Sequence, residues 1–179
     1  MKVIQTPLEG FLVIEPDVYK DDRGFFLETY QEERYHQAGI TDNFVQDNHS
    51  RSVKGVLRGM HFQIKKPQAQ IVTVMQGEIF DVVVDIRKGS KTFGKWHGVR
   101  LNAHSQQRQV YMPPGFAHGF CVLSDFADLH YKVSGQYNSN DEGGLNWSDS
   151  KVGIVWPSST FYIKQRDKNF PFLEEIDFE

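Results

Sequence analysis

Between Ile71 and Ile86 the chain reads IVTVMQGEIFDVVVDI, and no other stretch narrows the possible folds as much. Gln76-Gly77 breaks it into two strands. In the second, Phe80, Val82, Val84 and Ile86 alternate with Asp81, Val83 and Asp85, a period of two that sends the sets to opposite faces. Turn signals follow at Lys88-Gly89-Ser90, Asn102-Ala103, Pro113-Pro114-Gly115 and Gly143-Gly144. Short strands with turns at such spacing indicate an antiparallel sandwich or barrel. Upstream, Phe11–Ile14 and the FFLETY run after Lys20–Gly24 read as further strands, and only Gln31–Gly39 reads as a helix, with Gly39 as its stop. The tail from Trp156 has little periodicity. Its Phe161, Tyr162, Phe170, Phe172 and Leu173 argue that it is buried, packed across a barrel mouth.

At 179 residues, with no repeat or linker-like shift in composition, the chain is expected to form one domain over 1–179. Charged residues make up 24% and the net charge is −3 without long runs of either sign, which argues against a nucleic-acid surface or a polybasic membrane anchor. A local basic pocket for a small anion remains open. Cys121 is the only cysteine, so a reducing cytoplasm is the simplest home. MKVIQTPLEG lacks the apolar stretch of a signal peptide, and no segment is long enough to span a bilayer. Aromatics reach 13%, a share that suits packed sheets or a ring-lined pocket.

Two stretches carry candidate chemistry. In VLRGMHFQ (Val56–Gln63), His61 stands between apolar neighbours and three residues from Arg58. A lone histidine on such a strand is ordinarily a core residue, but an arginine beside it calls for an anionic partner. An imidazole next to a guanidinium suits proton transfer on an anionic substrate. In MPPGFAHGF, the spacing of Pro113, Gly115 and His118 resembles the second signature of cupin barrels, whose histidine is a ligand in the metal-binding members. The upstream His-x-His of those proteins reads His61-Phe62-Gln63 here, and IKKPQAQIV supplies no glutamate. With two of four donors gone, a catalytic metal is not expected, although a metal-binding cupin oxygenase is the competing reading from another class.

Taken together, GVLRGMHFQ, DIRKGSKTFGKW, PPGFAHGF, Tyr131-Lys132 and DKNFPFL, with DDRGFF and VQDNHS upstream, resemble the dTDP-4-dehydrorhamnose 3,5-epimerase family. That resemblance spans nearly the whole chain. It implies an all-β, cupin-type jelly-roll barrel or sandwich with a few short helices, assembled as a homodimer, needing neither metal nor organic cofactor. The implied substrate is a dTDP-linked 4-keto-6-deoxy sugar, inverted at C3 and C5 or, alternatively, at C3 alone. A proton α to a ketone is removed to give an enolate, and inversion needs a base and an acid on opposite faces of the ring. The matching base is His61, its supporting carboxylate Asp167 and the opposing acid Tyr131.

The same resemblance implies substrate-binding roles for Arg23 and Arg58 on the diphosphate, the recognition at which arginine excels. Arg166 matches a further cation. Phe26, Glu28 and Gln46-Asp47-Asn48 match positions at the nucleotide, and Tyr137 matches the ring that stacks on thymine. His118 would hydrogen-bond near the sugar, and Glu142 is a further match. One departure stands out. Where the family commonly has lysine, Gln70 can donate a hydrogen bond but brings no charge to an enolate oxygen.

Overall fold

The computed structural model describes residues 1–105 and 107–178. Its strands are β1 (Lys2–Gln5), β2 (Leu12–Glu15), β3 (Val18–Asp21), β4 (Gly24–Leu27), β5 (Gln46–Val53), β6 (Val56–Gln63), β7 (Gln70–Gln76), β8 (Glu78–Asp85), β9 (Trp96–Asn102), β10 (Gln109–Met112), β11 (Phe116–Val122), β12 (Phe126–Val133), β13 (Glu142–Gly144) and β14 (Tyr162–Ile163). Two short α-helices, α1 (Glu32–Gln37) and α2 (Gln165–Lys168), complete the regular structure with a 3-10 turn at Leu173–Glu175. One sheet has the order β1-β2-β10-β7-β12-β5 and the other β13-β6-β11-β8-β9, with β14 beside β6 and β3–β4 forming a separate hairpin. The fold is all-β and cupin-like, as the strand pattern and the resemblance imply. Among the described residues no helix is long and apolar enough to cross a membrane.

Three apolar layers explain the sequence periods. Val72, Val74, Val110 and Leu129 of the first sheet meet Ile79, Val83, Phe116 and Phe120 of the second in the central layer. The alternate set of β8, Val82 and Val84 together with Ile86 just beyond it, faces outward beside Met60 and Phe62. Trp156, Leu173, Ile176 and Phe178 cover that outer face. The tail therefore packs chiefly against the back of the second sheet and not across a barrel mouth: both faces of β8 are apolar enough to demand cover. On the far side, Tyr35 of α1 and Ile40 pack on Ile14 and Ile71. The Gln31 side chain accepts the Arg34 backbone N–H at 2.7 Å and so starts α1.

Gln76-Gly77 does divide two strands, and they lie in different sheets: β7 pairs with β10 and β12, whereas β8 pairs with β11 and β9, so the link is a corner. One local expectation needs correction. Gly143-Gly144 is not a turn but part of β13, with Gly143 opposite Phe62 and Gly144 opposite His61. A Cβ on Gly144 would lie 2.3 Å from the Phe170 ring, so glycine is needed there for close approach of the tail.

The loop after β8 is tied by Asp85, which is fully buried. Its carboxylate accepts from Arg87 Nε at 2.8 Å, Ser90 Oγ at 2.5 Å and Thr92 Oγ1 at 2.6 Å. Burial opposes ionisation, but these donors prevail and pull the carboxyl down to about 2. A depressed carboxyl adds stability above its unfolded pKa, about 3.9, and loses it as the pH falls through the folded value. Asp85→Asn is expected to cost roughly 2 kcal/mol in urea unfolding at neutral pH, with the gap from wild type narrowing as pH falls below about 4. Equal midpoints at neutral pH would remove Asp85 as a stabilising tie.

Candidate active site

The two residues in VLRGMHFQ reach the same side of their strand through a bulge. His61 pairs with His118 and Arg58 with Phe120, and the register shifts between them, so Gly59 and Met60 stand opposite Gly119 alone. Gly59 has φ +130°, and a Cβ on it would lie 2.5 Å from Gly119 Cα. Only a pair of glycines allows that approach. As a result Met60 and Phe62 turn outward while His61 and Arg58 line the cleft between the sheets.

That cleft encloses about 350 Å³. His61 on β6 and Tyr131 on β12 line it from opposite sheets, together with Asn48, Arg58, Gln70, His118, Tyr137, Glu142 and Arg166. Asp167 stands behind His61, buried in α2. Its Oδ2 is 3.0 Å from His61 Nε2 and accepts the Gly59 backbone N–H at 3.3 Å, while Oδ1 accepts from Arg166 Nε at 3.1 Å. Burial works against the charged carboxylate, but the hydrogen bond from His61, the charge that ring carries once protonated, and the bonds from Gly59 and Arg166 outweigh it and hold the carboxyl below the usual range. Because a carboxylate only accepts, Nε2 carries the proton and the lone pair is on Nδ1. Glu142 Oε1 lies 3.8 Å from Nδ1. Arg166 Nη2 comes within 3.2 Å of Nε2, a close charge contact while that N–H is committed to Asp167.

α2 is anchored by the segment that follows β13. Asn146 Nδ2 donates to the Lys168 and Phe170 carbonyls at 3.3 and 3.1 Å, and the Phe170 ring meets His61 edge-on at 5.7 Å between centroids. Glu142 accepts from Arg166 Nη1 at 2.5 Å and from the Tyr137 hydroxyl at 2.9 Å. Gln46 sits behind Tyr137, accepting its backbone N–H at 3.1 Å. On the other wall, burial pushes the Tyr131 phenol up to about 12, opposed by its hydrogen bond to Ser50 and the charge of Arg58. His118 Nε2 is 2.7 Å from Asp81 Oδ2, both buried, and Asp81 Oδ1 has no partner among the described residues. Among those residues no group of three or more His, Cys, Asp or Glu side chains is arranged to hold a metal ion.

Six residues matched by resemblance do not line this cleft; Asp167 and Gln46 stand behind His61 and Tyr137, and the other four lie elsewhere. Asp47 alternates with Asn48 to the other face of β5, where Lys132 donates to it at 2.7 Å. Arg23 and Phe26 are on the β3–β4 hairpin, exposed, with Arg23 paired to Asp21 at 2.6 Å. Glu28 follows that hairpin and pairs with Arg34. Conversely, Ser50, Gln63, Gln68 and Lys164 line the cleft and Asp81 supports His118, none of them singled out from sequence. Lys164 was open to detection from its place beside Arg166 in YIKQRD. With Arg58, these cations collect positive charge in a chain of net charge −3.

An all-β sandwich with an imidazole–carboxylate pair on one wall of a cleft, a buried phenol on the other and three cations between them has the groups that proton transfer on an anionic ligand requires. The comparisons narrow that class. The family model described as dTDP-4-dehydrorhamnose 3,5-epimerase matches residues 5–175, and the chain belongs to that family. It is 46% identical over 177 residues to the dTDP-4-dehydrorhamnose 3,5-epimerase of Methanothermobacter thermautotrophicus, covering 97% of this chain and 95% of the relative. A crystal structure of the Legionella pneumophila 3,5-epimerase, in complex with dTDP-4-keto-L-rhamnose, superposes with a TM-score of 0.95 at 46% identity, covering 98% and 94% of the two chains. A dTDP-4-dehydrorhamnose 3-epimerase of Streptomyces niveus is 42% identical over 177 residues, covering 98% of this chain and 85% of that one. The chain is thus an epimerase of the sugar-nucleotide class, an isomerase.

Proposed function

We propose that this chain inverts C3 and C5 of a dTDP-linked 4-keto-6-deoxyhexose without metal or organic cofactor. The observation that carries the reading is the opposition of His61, backed by Asp167, and Tyr131 across one cleft. His61 Nδ1 takes the proton from a carbon made acidic by the C4 ketone, and Asp167 and Glu142 stabilise the imidazolium that forms. Tyr131, kept protonated by burial, delivers a proton to the opposite face. Arg58, Lys164 and Arg166 supply charge for a diphosphate, and Tyr137, half exposed beside Gln46, offers a face for the pyrimidine. Gln70 is a donor for the sugar oxygens, and His118, its Nε2 proton committed to Asp81, offers the Nδ1 lone pair to a sugar hydroxyl. Gln70 makes a neutral bond where a lysine would make a charged one.

The hairpin supports a homodimer. Tyr19, Phe25 and Phe26 are exposed there, and Arg23, Phe26 and Glu28 do not line the cleft of their own chain. Substrate-binding roles for these residues therefore require that the hairpin reach a second copy, and a single-chain mass in sedimentation would remove that part of the reading. A cytoplasmic enzyme fits the lone, buried Cys121.

The test is deuterium wash-in. Incubated with dTDP-4-keto-6-deoxyglucose in D2O, the protein is expected to label C3 and C5 with formation of the epimer, read position by position by NMR. Label and inversion at C3 alone would convert the reading to a 3-epimerase. No label with any 4-keto nucleotide sugar would reject it.

A further inference from the structure

We infer that Ser50 is a positioning residue for Tyr131, orienting the phenol before it gives up its proton and stabilising the phenolate afterwards; the inference rests on the epimerase reading above. Ser50 Oγ lies 3.2 Å from Tyr131 Oη, and among the described residues no other hydrogen bond to that hydroxyl is present. Their placement follows from the sheet register. Tyr131 is opposite Asn48 and Leu129 is opposite Ser50, so Ser50 is Tyr131's diagonal neighbour on the same face, within reach of a long aromatic side chain. Both residues line the cleft.

The chemistry explains why such a neighbour is needed. When Tyr131 protonates the enolate, a C–H bond forms, the phenol O–H bond breaks, and the negative charge moves from the enolate to the phenolate oxygen. A proton from solvent later restores the phenol. Buried phenolate is costly, which is why the phenol resists ionisation in the first place. Ser50 has one O–H and two lone pairs, so it is able to accept from the phenol in the resting state and to donate to the phenolate after transfer. A hydrogen bond to a charged oxygen is about twice as strong as the neutral one it replaces. The contact thus strengthens as the charge arrives, the requirement for lowering a barrier. Ser50 touches no reacting atom itself.

The test is a double-mutant cycle on the full-length enzyme with dTDP-4-keto-6-deoxyglucose. Ser50→Ala is expected to lower kcat for inversion roughly ten- to a hundredfold, the size of a hydrogen bond to a charged group, with KM within about twofold. Deuterium wash-in by His61 should fall much less, so label accumulates in uninverted sugar. In a Tyr131→Phe background the same substitution should add nothing, because the two side chains act as one unit. Ser50→Cys, which keeps the size with a weak donor, should lie between serine and alanine and serves if the alanine variant does not fold. Equal loss in both backgrounds, equal loss of wash-in and inversion, or no loss at all would overturn the role of Ser50. Failure of the wild type to exchange any proton would instead overturn the epimerase reading.

Discussion

Asp167→Asn is expected to cut kcat about a hundred- to ten-thousandfold while leaving KM within a few fold, and His61→Ala to cut it at least as far. The reason is tautomeric. In the wild type a carboxylate, which can only accept, faces His61 Nε2 at 3.0 Å and so keeps the proton there and the lone pair on Nδ1. A carboxamide can turn its NH2 toward Nε2, stabilising the other tautomer and putting a hydrogen where the base must be empty. It also removes the charge that stabilises the imidazolium. The substitution is nearly isosteric, so the packing around α2 should survive; with the NH2 turned toward Nε2 the Gly59 N–H, which shares Oδ2 with His61, loses its acceptor, and thermal melting reads that cost. Because the Asp167 carboxyl titrates below the usual carboxylate range, its own protonation should enter only at more acidic pH than that range. Asp167→Asn within about threefold of wild type would sink the dyad.

How much of this was legible in the sequence depends on what each element had to signal. β8 could be read from its alternation because both of its faces are buried and apolar residues mark them. β5 could not. In Gln46–Val53 neither alternating set is apolar, so nothing separated cleft-facing Asn48 and Ser50 from outward-facing Asp47. Gly143-Gly144 looked like a turn because glycine serves turns and close packing alike, and only the Phe170 ring tells which. The bulge that brings Arg58 and His61 to one face depends on Gly119, some sixty positions away in the chain. Asp167 and Tyr131 carried no local signal either: an aspartate in a polar tail and a tyrosine in a strand are ordinary. The roles proposed for them rest on several motifs in order, and the sheets set the imidazole and the phenol on opposite walls.

Tyr131→Phe separates the two halves of the proposed reaction, and its expected effect is nearly as large as that of Asp167→Asn. The ring packs against the central core layer, which phenylalanine preserves, so the cost in stability should be about that of one hydrogen bond to Ser50, roughly 1 kcal/mol. His61, on the other sheet, and Asp167, in α2, are untouched. Proton abstraction therefore continues, and the imidazolium, exchanging with D2O, returns a deuteron to the face from which the proton left. Inversion fails because no acid stands on the other face. Product formation is expected to drop at least about a hundredfold, within the usual range for a general acid, while wash-in of label stays within about tenfold of wild type. The alkaline side of the profile gives a second check. With the phenol pushed up to about 12, Tyr131 stays protonated well past neutral pH, so the wild type should show no loss of inversion from its ionisation until the pH comes within about a unit of that value. Were Tyr131→Phe to invert its substrate at the wild-type rate, or to lose exchange and inversion in equal measure, the phenol would not be the acid that faces His61 across the ring.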